Sequence, residues 1–114
     1  MSLEISTVQK GSMALVEICG EVDLYTSPQL RAEVLKVAAG KNASLMVNLE
    51  QVTYMDSSGV ATLIEALQYI KRRDGRMVLF GLKAEVKEIF ELTRLDKVFN
   101  IRPNFETAIK CVTA

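Results

Sequence analysis

The sequence predicts an α/β layer fold, with one domain over residues 1–114 and a mixed sheet of four to five strands packed with about four helices. Three observations carry this. Short apolar segments of strand length alternate with longer stretches of helical apolar spacing, the pattern of layered α/β proteins. The first two strand segments are separated by only a short turn, so they form a hairpin and the sheet cannot be wholly parallel. No internal repeat, low-complexity tract or Pro/Gly-rich linker divides the chain.

The elements follow in order. Residues 3–9 and 13–19 read as strands around a turn at Lys10-Gly11-Ser12. In the second, Ala14, Val16 and Ile18 alternate with Leu15, Glu17 and Cys19; its faces are largely apolar, which predicts a central strand. Thr26-Ser27-Pro28 opens a helix: Thr26 or Ser27 supplies the cap, Pro28 suits the first turn, and Gln29 is spaced to close a capping box with Thr26. Leu30, Val34, Val37 and Ala38 form its apolar stripe, and Gly40 is placed to end it.

Leu45 to Leu49 is a third strand, and Gln51 to Met55 lead into Asp56-Ser57-Ser58-Gly59, the start of a long second helix. Its apolar positions Val60, Leu63, Ile64, Leu67 and Ile70 recur at helical spacing, with Glu65, Gln68, Lys71 and Arg72 on the wet face. Asp74-Gly75 is a turn, Met77 to Phe80 a fourth strand, and residues 84–94 a third helix turning Val86, Ile89 and Phe90 inward. Val98 to Ile101 reads as a short edge strand. A last helix from Asn104 buries Phe105, Ala108, Ile109 and Val112.

The balance of charge narrows the function. Fourteen basic residues match fourteen acidic ones, so no basic face is available to neutralise nucleic-acid phosphates or to hold an anionic membrane. No apolar run reaches the ~18 residues that cross a bilayer, and Met1-Ser2-Leu3-Glu4 lacks the features of a secretory signal. These readings predict a cytoplasmic protein without membrane insertion. Cys19 and Cys111, far apart and without paired spacing, are expected to be buried small hydrophobes in a reducing cytosol.

Catalytic constellations are missing. With no histidine, neither a Ser-His-Asp triad nor the commonest metal ligand can be supplied. No phosphate-binding loop, dinucleotide glycine pattern or cysteine cluster occurs, and Met55-Asp56-Ser57-Ser58-Gly59 lacks the flanking glycine of a nucleophile elbow. The expectation is a protein that is not an enzyme and needs no cofactor or metal.

Asp56-Ser57-Ser58-Gly59 remains. Asp and Ser are favoured helix caps, and taken alone the tetrapeptide reads as one. Three consecutive polar side chains, however, exceed what one cap requires, and the junction lies at the end of an apolar strand, where partners of α/β folds gather. A phosphoryl group on Ser57 would face the unpaired N–H groups and the positive end of the helix, so modification there should leave the fold intact. Asp23 reads as a turn residue. Lys71-Arg72-Arg73 reads as cations complementing a helix C-terminus, with a binding role as the alternative.

The stretch Leu49-Glu50-Gln51-Val52-Thr53-Tyr54-Met55-Asp56-Ser57-Ser58-Gly59-Val60 resembles the signature of STAS domains, specifically of bacterial anti-sigma factor antagonists. Gly20-Glu21-Val22-Asp23-Leu24-Tyr25-Thr26 looks like that family's Gly-Glu-x-Asp loop. Gly75 to Gly81 resembles its fourth strand, and Ile89 to Phe99 its third helix and exit. The segments stand in the family's order along nearly the whole chain. Two departures, Val60 where Leu is usual and Asn48 where Asp is also common, are conservative.

The resemblance implies a regulatory binding protein. The unphosphorylated form would capture an anti-sigma factor that is also a serine kinase of the histidine-kinase-like ATPase fold, and so free the sigma factor. Phosphorylation of the first serine after the motif aspartate, Ser57 here, would end the capture, and a PP2C-type phosphatase would restore it. By the same resemblance Asp23, Tyr25, Thr26, Asp56, Ser57, Ser58, Gly59 and Thr62 form the partner-binding surface of a monomer or weak dimer. An accessory subunit of a membrane transporter ATPase, or a scaffold of a signalling complex, is the alternative within the family. A small-ligand or nucleotide sensor finds no phosphate loop to support it.

Overall fold

Alternating apolar residues on parallel strands must face two layers, and here they do. The computed structural model describes residues 2–41 and 44–113. The chain runs β1 (Leu3–Lys10), β2 (Met13–Val22), α1 (Ser27–Ala39), β3 (Ser44–Met55), α2 (Ser57–Lys71), β4 (Arg76–Phe80), α3 (Ala84–Leu92), a 3-10 turn (Leu95–Lys97), β5 (Asn100–Arg102) and α4 (Phe105–Thr113). The sheet has five strands in the order β1-β2-β3-β4-β5. β1 is antiparallel to β2, and β2 through β5 are mutually parallel.

Leu45, Val47 and Leu49 of β3 and Met77 and Leu79 of β4 point into the larger core. There they meet Leu30 and Val34 of α1, Leu63 and Ile70 of α2, and Val86 and Phe90 of α3. The intervening Met46, Val78 and Phe80 point the other way, against Ala108 of α4. Two edge-to-face aromatic pairs pin the end of the chain, Phe90 on Phe99 at 5.6 Å and Phe80 on Phe105 at 6.0 Å.

The structure amends several expectations. Thr26 precedes α1, but its side chain makes no cap bond; the hydroxyl donates to the Glu21 carbonyl at 2.8 Å instead. Gln29 reaches across to the Leu3 carbonyl at 2.9 Å, so no capping box forms. Gly40 ends α1 with φ −72°, without the left-handed turn that makes glycine necessary. Cys19 is exposed and Cys111 half-buried: α4 covers only part of its face of the sheet, and beyond Leu15 the outer face of β2 is wet at Glu17 and Cys19. Phe105 is 42% exposed, at the first turn of α4, where only one side of the ring reaches Phe80. The third helix stops at Leu92, ahead of Arg94 with φ 61°. The last strand begins at Asn100, leaving Val98 outside it and 47% exposed.

The basic run is taken up by the fold. Arg73 donates to the Ala38 carbonyl at the end of α1, and Arg72 lies 5.4 Å over the Tyr69 ring. No helix among the described residues is long and apolar enough to cross a membrane.

Candidate functional site

The register of two parallel strands builds the site. Val22 is paired with Met55 at the ends of β2 and β3, so the next residues, Asp23 and Asp56, leave the sheet side by side. The Asp56 amide donates to the Val22 carbonyl at 3.1 Å and closes the junction. Two register shifts between β2 and β3, at Glu17/Cys19 and at Gly20/Glu21, each take one more residue of β3 than of β2 and bring the strand ends into this alignment. Gly20 lets the start of the chain lie close against β2: its φ is +126°, and a Cβ there would sit 2.4 Å from the Ser2 carbonyl oxygen.

Asp56 is the N-cap of α2, with extended backbone. Its Oδ1 accepts from the Ser58 amide at 2.9 Å and from the Ser58 hydroxyl at 2.5 Å. Its carbonyl accepts from the amides of Gly59 and Val60. Of the first-turn amides, those of Ser58, Gly59 and Val60 are in use, while that of Ser57 has no partner among the described residues, so a phosphoryl group on Ser57 would meet one unpaired N–H group rather than the expected row. Helix-dipole attraction and water remain to accommodate it.

The two serines are unlike. Ser58 is half-buried and its hydroxyl is held by Asp56. Ser57 is exposed, and among the described residues its hydroxyl has no protein partner. Gly59 is buried for reasons of space: a Cβ would come 2.6 Å from Val22 Cγ1 and 2.8 Å from Met55 Cγ. That glycine lets the helix start lie directly on the two strand ends. Thr62 is 4% exposed and its hydroxyl donates to the Ser58 carbonyl at 3.1 Å.

The neighbouring loop is equally determined. Asp23 Oδ1 accepts from the amides of Tyr25 at 2.9 Å and Thr26 at 3.0 Å, and its carbonyl accepts from the Ser27 amide. Thr26 Oγ1 accepts from the Asp23 amide at 2.9 Å, and Thr26 is buried. The Thr26 amide above all, aided by that of Tyr25 and by the Thr26 hydroxyl and opposed by partial desolvation, holds the Asp23 carboxyl below its ordinary value. Asp23 thus fills the turn role its sequence context suggests, while standing beside the Ser57 helix.

Of the eight residues expected at the surface, Tyr25 and Ser57 are exposed, Asp23, Asp56 and Ser58 are half-buried, and Thr26, Gly59 and Thr62 shape the site from beneath. Two features escape the sequence. Leu24 is 73% exposed beside Tyr25. A groove of 390 Å³ also runs between α1 and α2, past Pro28, Ala32, Ser58 and Ala61. It is crossed by a bidentate bond from Arg31 to Glu65 at 2.7 and 3.2 Å. No local pattern announces a groove made by two helices distant in sequence. With Arg31 57% exposed the pair adds little stability. Among the described residues no group of three His, Cys, Asp or Glu is placed to hold a metal ion.

The site is a surface that sets the free Ser57 hydroxyl near the acidic Asp23 and Asp56, with the α1–α2 groove alongside. The STAS domain model matches residues 4–108, and the chain belongs to the STAS domain family. An anti-sigma-B factor antagonist of Staphylococcus aureus is 28% identical over 106 residues, covering 93% of this chain and 98% of the relative. An anti-sigma factor antagonist from Mycobacterium paratuberculosis has the same fold, with TM-score 0.91 at 23% identity over 99% of this chain and 96% of that one. The Bacillus cell fate determinant SpoIIAA, in its phosphorylated form, matches with TM-score 0.70 at 22% identity over 96% and 97% of the two chains.

Proposed function

We propose that this chain is a cytoplasmic anti-sigma factor antagonist that binds an anti-sigma factor serine kinase, frees the sigma factor, and is switched off by phosphorylation of Ser57. The observation that carries the reading is the contrast between the serines: Asp56 holds the Ser58 hydroxyl, while that of Ser57 stands free and exposed. A kinase can take the second without breaking a bond of the fold.

The energetics suit a switch. Phosphorylation adds about −1.5 to −2 charges beside Asp23 and Asp56. A charge buried unpaired at an interface costs several kcal/mol, and each ~1.4 kcal/mol is tenfold in affinity. Two such increments turn a tight complex into a weak one. A PP2C-type phosphatase would reset the exposed phosphoserine.

Purified kinase of the histidine-kinase-like ATPase fold, incubated with this protein and ATP, should place one phosphate on Ser57 by peptide mapping. Calorimetry should then show binding of the unmodified form only. Phosphate on Ser58 alone, or equal affinity of both forms, overturns the reading.

A further inference from the structure

Two large apolar side chains next to the site have no place in the fold. Leu24 is 73% and Tyr25 89% exposed, on the turn between β2 and α1. Single exposed apolar residues are ordinary, but this pair is presented unusually firmly. Asp23 Oδ1 holds the amides of Tyr25 and Thr26, the Thr26 hydroxyl is bonded to Glu21, and the Ser27 amide to Asp23. The bonds that lock the turn are made by Asp23, Thr26 and the backbone; none uses the side chain at 24 or 25. Folding therefore gives no reason for Leu and Tyr at these positions, since burying them would be the only stabilisation they could supply.

We infer that Leu24 and Tyr25 are apolar anchors of the kinase interface and supply affinity, whereas Ser57 supplies its control. The inference rests on the function proposed above. A rigid turn presents the two side chains without the ordering penalty that a mobile loop would incur, and aromatic anchors dominate binding energy in such arrangements. The Asp56 amide bond to the Val22 carbonyl fixes this turn against the helix that carries Ser57. Anchors and switch thus fall on one continuous surface, and the charge added at Ser57 enters the interface that Leu24 and Tyr25 create. The partner chemistry that fits is an apolar pocket on the kinase, next to the groove that receives the Ser57 hydroxyl.

The test uses the purified kinase that phosphorylates Ser57, with Leu24→Ala, Tyr25→Ala, Tyr25→Phe, Ser57→Asp and, as a distant exposed control, Leu92→Ala at the end of α3. Leu24→Ala and Tyr25→Ala should each weaken binding about tenfold or more, leaving the melting temperature unchanged. They should raise KM for Ser57 phosphorylation with kcat preserved, the mark of lost uniform binding. Tyr25→Phe should retain most of the affinity, and Leu92→Ala all of it. If Ser57→Asp abolishes binding while Leu24→Ala and Tyr25→Ala bind like wild type, the anchor role is wrong and the proposed switch stands. An equal loss in Leu92→Ala also overturns the anchors. If neither wild type nor any variant binds the kinase, the functional reading falls, and the anchors with it.

Discussion

Asp56→Ala separates the structural and regulatory roles of the serine motif. The substitution removes the acceptor of two bonds, from the Ser58 amide and from the Ser58 hydroxyl. Loss of an N-cap costs about 0.5–2 kcal/mol, and the hydroxyl bond about 1 kcal/mol more, tempered by water at a half-buried position. Taking about 2 kcal/mol in all, and an unfolding entropy near 2.1 cal/mol/K per residue, the melting temperature of this 114-residue chain should fall by roughly 8 °C. Asp56→Asn keeps the Oδ1 acceptor and should lose little, since Asn caps as well as Asp. The regulatory consequence is distinct. Without Asp56 the Ser58 hydroxyl is free, so the kinase should place phosphate on Ser58 as well as Ser57, whereas the Asn variant should keep the preference for Ser57. Thermal unfolding followed by circular dichroism, with phosphopeptide mapping of the same preparations, reads both. An unchanged melting temperature in Asp56→Ala, or a drop as large in Asp56→Asn, would refute the cap; Ser57-only phosphorylation in Asp56→Ala would refute the selectivity argument.

Other outcomes follow from the same geometry. Ser57→Asp should change stability by less than about 1 kcal/mol, because dipole attraction at the helix start is offset by Asp56 and Asp23 nearby; calorimetry should show its kinase affinity reduced at least a hundredfold. Asp23→Asn keeps an Oδ1 acceptor for the Tyr25 and Thr26 amides and should fold normally while slowing phosphorylation, whereas Asp23→Ala should also lower the melting temperature. The depressed Asp23 carboxyl stabilises the loop above its unfolded value, and that stabilisation is lost as pH falls through the folded value; NMR titration of the carboxyl should find its midpoint below 3.8. Gly59→Ala gains helix propensity but forces a Cβ against Val22 and Met55, a net loss of about 1–2 kcal/mol measurable by urea unfolding.

Much of the architecture was legible because apolar periodicity is local. The alternation of strand and helix, the hairpin, the position of β2 within the sheet and the start of α2 at Asp56 all follow from neighbours in sequence. What escaped depends on distant partners. The Thr26 hydroxyl caps nothing because it donates instead to the Glu21 carbonyl, five residues back at 2.8 Å. Cys19 lies bare because α4 has nine residues and covers only part of its face. The adjacency of Asp23 and Asp56 depends on a strand register with two shifts; the resemblance to STAS domains implied that adjacency, and composition could not. The two serines of the motif are indistinguishable by type, and only the reach of the Asp56 carboxylate tells them apart.

That carboxylate also bears on how the switch can operate. Beyond the exposed Ser57 amide, the helix start is satisfied before any phosphate arrives: Asp56 takes the Ser58 amide, and its carbonyl takes those of Gly59 and Val60. A phosphoryl group on Ser57 therefore has no buried donor to recruit and no fold bond to break, so it has no leverage on the sheet. Gly59 and Val22 are in close contact beneath it, and the Asp23 turn is held by its own bonds; neither can yield by a small shift. On the proposed reading the change is read at the surface, as charge added beside Leu24 and Tyr25. Amide shifts on phosphorylation should accordingly stay within the Asp23 turn and the first two turns of α2, up to about Thr62. Shifts spreading through β4, β5 and α4 would mean that the fold itself has two states, and that a surface charge is the wrong account of the switch.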